Sequence, residues 1–140
     1  MPLAVCATPI GNLADVTLRV LEELAAAGTV LCEDTRHTRV LLRRHAIEAR
    51  LLSYHQHNEA SRTAELIPQL VAGERIALVS DAGLPGVNDP GARLVAAALE
   101  AGVPVTVLPG PSAVETALVA SGLAGDQYRF VGYLPRKAGE

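Results

Sequence analysis

An open, five-stranded, mostly parallel α/β sheet with helices on both faces is the fold this sequence predicts, and three observations predict it. Short apolar runs at residues 3–7, 29–32, 51–53, 75–79 and 103–108 alternate with stretches of helical periodicity, the order that builds βαβ units. The run at 75–79 is short and, after Arg75, continuously apolar, as expected of a strand covered on both faces. Glycines at 28, 73, 102 and 122 follow the periodic stretches, where helices stop.

Each helix has its own signal. Leu18, Leu21, Leu24 and Ala25 form the stripe of the first, closed by Gly28. The second, about residues 36–45, carries Val40, Leu41 and Leu42 among basic residues. The third starts near Asn58 or Ser61 and ends before Gly73, with Pro68 as a kink or early end. The fourth repeats Leu94, Val95, Ala98 and Leu99, with Asp89 as N-cap and Pro90 as first helical residue. Ser112 and Glu115 fit a capping box opening the fifth. Residues 128–133 read as a weak final strand or linker.

A chain of 140 residues predicts one domain, placed at residues 1–134, with 135–140 as the start of a linker. The formal charge of −3 argues against gripping nucleic acid over the whole surface but leaves room for a local basic patch. Cys6 and Cys32 are too few for a disulfide scaffold or zinc clip and read as reduced core residues. With neither a basic-then-apolar leader nor a run long enough to span a bilayer, the expectation is a soluble, cytoplasmic protein without membrane contact.

If the strands are parallel, the loops at 8–17, 33–36, 54–59, 80–91 and 109–112 all open on one edge, where open α/β folds bind ligands. Ser80-Asp81-Ala82-Gly83-Leu84-Pro85-Gly86-Val87-Asn88-Asp89-Pro90-Gly91 is the densest of them in Gly and Pro and reads as a ligand cradle. A dinucleotide fingerprint and a Walker loop are both absent, although Glu33 and Asp34 follow Gly11 by about twenty residues, a partial match to a ribose-holding position. His55-Gln56-His57 alternates, yet no spaced carboxylate or cysteine set completes a metal site, so no metal is expected. No G-x-S-x-G elbow occurs. Arg36, Arg39 and Arg43 fall on one face of the second helix, as phosphate contacts or as a plain solvated face. Aromatics make up only 3% of the chain, too few for a base-stacking platform.

Six strings in order, Ala7-Thr8-Pro9-Ile10-Gly11-Asn12-Leu13, Glu33-Asp34-Thr35-Arg36-His37-Thr38, Ser53-Tyr54-His55, His57-Asn58-Glu59, Ser80-Asp81-Ala82-Gly83 and Pro109-Gly110-Pro111-Ser112-Ala113, carry a resemblance along nearly the whole chain. The sequence resembles the ribosomal RNA small subunit methyltransferase I family, ribose 2′-O-methyltransferases of the tetrapyrrole methylase superfamily. Leu84 stands where many relatives carry Thr, and Val87-Asn88 replaces a more usual Ile-Ser; both departures are mild.

The resemblance implies a tetrapyrrole methylase N-terminal domain, S-adenosylmethionine as methyl donor, a cytidine ribose of small-subunit ribosomal RNA as acceptor, a second α/β domain and a homodimer. Carried over residue by residue, the donor site falls on Pro9, Ile10, Asp81, Ala82, Gly83, Leu84, Ser112 and Ala113. A ribose hydroxyl is a poor acid, so a general base would help. The expected group is Glu33, Asp34 and His37, with His55 also on that edge, and Arg36, Arg39 and Arg43 on RNA. Two alternatives share these features: a tetrapyrrole C-methyltransferase, whose arginines would meet propionates, and a non-catalytic ligand-binding α/β domain.

Overall fold

The computed structural model describes residues 2–123 and 127–133. Its strands are β1 (Leu3–Cys6), β2 (Thr29–Cys32), β3 (Leu51–Ser53), β4 (Ile76–Val79) and β5 (Val105–Leu108), and its helices α1 (Leu18–Ala26), α2 (Thr35–Arg44), α3 (Glu59–Val71), α4 (Ala92–Glu100) and α5 (Ala113–Ser121). They alternate strictly. The sheet order is β3-β2-β4-β1-β5, and every pairing is parallel, so the expected mostly parallel sheet is wholly so. The expected linker at 135–140 lies outside the described residues.

The order explains where the helices go. From β1 to β2 to β3 the chain steps one way across the sheet, and from β3 to β4 to β5 it steps back. Right-handed crossovers then send the first two helices to one face and the next two to the other. Val20 and Leu24 of α1 and Leu41 and Leu42 of α2 pack on Ala4, Cys6, Val30, Cys32, Ala77 and Val79. Leu66 and Leu70 of α3 and Leu94 and Ala98 of α4 pack on Leu3, Val5, Leu31, Ile76 and Leu78. The α1/α2 face of the central strands is thus floored by smaller side chains than the α3/α4 face. Among them Cys6 is fully buried, and burial, aided by the nearby Glu23 charge, pushes its thiol pKa up to about 12.

Four local expectations give way to other interactions. In α1 the residues that pack on the sheet are Val20 and Leu24, while Leu18, next to the Thr17 cap, is 77% exposed. That helix ends in an extended Ala27, and Gly28 donates to the Arg75 carbonyl instead of adopting a left-handed stop. Pro68 sits inside α3 without ending it: the helix runs on to Val71, and the Ala72 cap donates its N–H to the Pro68 carbonyl. The fourth helix is not opened by Asp89 and Pro90. Its N-cap is Gly91 at φ +138°, so the loop runs two residues further and releases the Asp89 carboxylate.

At the fifth helix Ser112 is the N-cap and Gly122 the left-handed stop, but the box does not close on the backbone. Ser112 Oγ instead donates to the Glu115 carboxylate, whose other oxygen accepts from Tyr128 Oη at 2.6 Å. No residue of α5 is buried, and residues 128–133 form no strand.

Candidate active site

With all strands parallel, the loops that follow them gather on one edge. β1 and β4 are neighbours whose outgoing helices leave for opposite faces, which opens a crevice between their loops. The crevice is braced by backbone: Thr8 N donates to the Gly83 carbonyl at 2.9 Å and Gly83 N returns a bond to the Thr8 carbonyl at 3.1 Å. Thr8 Oγ1 donates to the Ser80 carbonyl at 3.0 Å, locking the two loops from within. Gly83 is needed there because its φ of +78° is left-handed, and its α-carbon faces Ile10 and the Pro111 carbonyl. Donor-site candidates from three loops, Ile10, Gly83 and the segment leading to Ser112, therefore stand together.

The rest of that set spreads around this core. Pro9 and Asp81 line a crevice of about 190 Å³ with Thr8, Leu13, His37, Thr38, Val40, Leu41 and Ser80. Leu84 is half-buried against the α3/α4 core, Ala82 is exposed, and Ala113 begins the exposed α5. His37, expected in the base group, opens into the same crevice as Pro9 and Asp81.

Asp34 is heavily committed. It caps α2 by accepting from Arg36 N at 2.8 Å, and takes Arg36 Nε at 3.1 Å and Nη2 at 2.8 Å. These bonds hold its carboxyl well below the usual carboxylate range. Its own backbone N–H donates to Asp81 Oδ1 at 3.3 Å. Arg36 is 87% exposed yet paired, while Arg39 and Arg43 are exposed along the same face, opposite the buried Thr38, Leu41 and Leu42.

Glu33 has the opposite environment. Burial raises its pKa, and the charges of Asp81 and Asp89 raise it further, with His55 acting against them. Asp89 is raised as well, by burial and by Asp81. Three carboxylates therefore meet on the edge, and none belongs to any ion pair among the described residues. Beside them the His55 Nδ1 is buried without a hydrogen-bond partner, and its ring stands edge to face with His57 at 5.8 Å. Asp89 is the member that sequence reasoning assigned elsewhere. Only the strand order, which sets the β2 and β4 loops side by side, puts residues 33, 81 and 89 together.

Comparison with known proteins assigns the fold to a family. The family model for tetrapyrrole (corrin/porphyrin) methylases matches residues 2–137. The chain belongs to that family. Among relatives of this methylase chain are proteins named ribosomal RNA small subunit methyltransferase I. The one from Mesorhizobium japonicum is 54% identical, with 99% of this chain and 47% of the relative covered. The one from Micromonospora olivasterospora is 58% identical over 93% of this chain and 42% of the relative, and that of Escherichia coli O157:H7 is 51% identical over 97% and 48%. The chain thus spans about half the length of the curated relatives it matches. Among solved structures, uroporphyrin-III-C-methyltransferase from Thermus thermophilus superposes with a TM-score of 0.65 at 29% identity, covering 86% of this chain and 51% of that one. Both sets of proteins are named as methyltransferases, and the five-stranded parallel sheet with its helices is the methylase fold.

Proposed function

We propose that the protein containing this methylase domain transfers a methyl group from S-adenosylmethionine to a ribose 2′-hydroxyl of a cytidine in small-subunit ribosomal RNA. The observation that carries the reading is the group of carboxylates at Glu33, Asp81 and Asp89, which have no arginine or lysine partner among the described residues and lie beside the loop that Gly83 ties to Thr8. Uncompensated carboxylates in a half-buried cleft suit a ligand that brings its own positive charge, as a sulfonium and an ammonium do. Pro9, Ile10, Asp81, Ala82, Gly83, Leu84, Ser112 and Ala113 would hold that donor, which supplies an electrophilic methyl.

The acceptor hydroxyl must lose its proton as oxygen bonds to the methyl carbon and the carbon–sulfur bond breaks. Glu33 suits that task better than Asp34, because a raised carboxylate accepts a proton more readily than one held low by Arg36. His37 borders the acceptor side, and Arg36, Arg39 and Arg43 present guanidinium groups to phosphates. The remaining length of the relatives supplies the opposite wall of the cleft, and the working form is a homodimer in the cytoplasm.

Calorimetry of the complete protein with S-adenosylmethionine, followed by transfer of labelled methyl to small subunits lacking the modification, tests the reading. Label in RNA is expected. A second reading, methylation of a tetrapyrrole carbon, draws on the likeness to the Thermus thermophilus enzyme. Label in a tetrapyrrole and none in RNA would replace the first reading with the second. Absence of donor binding would sink both and leave a ligand-binding domain.

A further inference from the structure

We propose that the crevice between α2 and the β1 loop receives the base of the acceptor nucleotide, swung out of its stack, and that Val40 and Leu13 are its walls. The inference rests on the methyltransferase reading above and adds where the acceptor is held. At about 190 Å³ the crevice falls below the roughly 300–1,000 Å³ of sites that enclose a whole drug-sized ligand, so it fits one ring and not a complete donor.

Its walls are Pro9, Leu13, Val40 and Leu41, apolar surfaces that suit the faces of a flat heterocycle. The hydroxyls at its floor are already committed: Thr8 Oγ1 donates to the Ser80 carbonyl, and Ser80 Oγ donates to the carbonyls of Ala82 and Gly83. A base entering the slot would leave its sugar at the rim near Asp81, and its phosphates beside α2, whose Arg39 and Arg43 are exposed. The arginines of the helix and the apolar walls of the slot, with Asp81 at its rim, thus divide one nucleotide between them. Sequence-specific recognition of RNA works on single-stranded segments whose unstacked bases are splayed out and held against side chains, and a pocket for the base is one means.

Val40 is 55% exposed, so a larger side chain can fill the slot without disturbing the core. In the complete protein, Val40→Trp is expected to raise the KM for unmodified small subunits by at least about tenfold, as filling a fitted pocket does. Its affinity for S-adenosylmethionine, by calorimetry, and the salt dependence of subunit binding stay as in the wild type. Arg39→Ala gives the complementary pattern, a flatter salt dependence. Leu13→Phe, from the opposite wall, repeats the measurement should Val40→Trp lose its cooperative melting. Loss of donor affinity with an unchanged subunit KM would make the slot part of the donor site and overturn the inference. Both constants unchanged in both variants would overturn it equally. Wild-type protein that binds no S-adenosylmethionine would instead sink the reading on which it rests.

Discussion

At the N-terminal edge of the sheet Glu23 accepts both Arg75 Nε and Nη2 at 2.7 Å, and this bidentate pair draws the carboxyl below its ordinary value. At the C-terminal edge Glu33 and Asp89 are raised by burial and by Asp81, with no such partner among the described residues. Each strand is only three or four residues long, so both environments belong to one small layer. The difference separates a carboxylate that supports the sheet from carboxylates that the proposed function assigns to a ligand or a reaction. A paired carboxylate helps the fold, whereas crowded carboxylates oppose it and persist where a ligand or a reaction uses them.

The largest expected effect falls on activity. On the proposed function, Glu33→Gln in the complete protein should lower methyl transfer by about 10²–10⁴-fold, the range for loss of a general base. Glu23→Gln should leave the rate in place. Because Glu33 is raised above its ordinary 4.5, the wild-type rate should fall as pH drops through a value above 4.5. A Glu33→Gln enzyme of normal rate would break the contrast by making the crowded edge merely tolerated.

Next comes the loop that carries Asp89. Gly91 sits at φ +138°, and a Cβ there would stand 2.8 Å from Leu78 Cδ2, an atom of a side chain only 1% exposed. Gly91→Ala should therefore cost about 2–4 kcal/mol in chemical denaturation, from backbone strain together with overpacking. As a reference on the same edge, Thr17→Ala removes the acceptor for Val20 N in α1 and should cost about 1 kcal/mol. A Gly91→Ala loss no larger than that of Thr17→Ala would mean the ligand edge is more pliant than its geometry indicates.

The sequence made the layer legible and left the edge chemistry half hidden. Runs at 29–32 and 51–53 match β2 and β3 residue for residue, because an uninterrupted apolar stretch between turn residues has few other ways to be buried. Gly122 was readable as a stop because its left-handed backbone needs glycine. Gly28 was misread because glycine also serves at a bend between elements, here with its N–H donated to the Arg75 carbonyl. Asp89 and Pro90 have the composition of a cap, and nothing local in the sequence reveals that Gly91 takes that place. The meeting of 33, 81 and 89 depends on β2 and β4 being neighbours, a long-range fact that no spacing along the chain contains.

The smallest effect is the sharpest test of the contrast, because the two edges should respond to pH with opposite sign. Glu23 is lowered in the fold, so its contribution is present above its unfolded value and is lost as pH falls through the folded one. Glu33 is raised, so the fold is favoured while it is protonated, and that advantage disappears as pH rises through its folded pKa above 4.5. Glu33→Gln should then stabilise the protein at neutral pH, by no more than about 1 kcal/mol given its partial exposure, with the gain fading below pH 4.5. Glu23→Gln should destabilise at neutral pH, and its penalty should shrink on acidification. Denaturation midpoints of both variants and the wild type between pH 4 and pH 8 would show the two difference curves on opposite sides of zero. Curves on the same side would mean that the carboxylates of the C-terminal edge are as well compensated as the Glu23–Arg75 pair, and the case for a cationic ligand there would lose its physical basis.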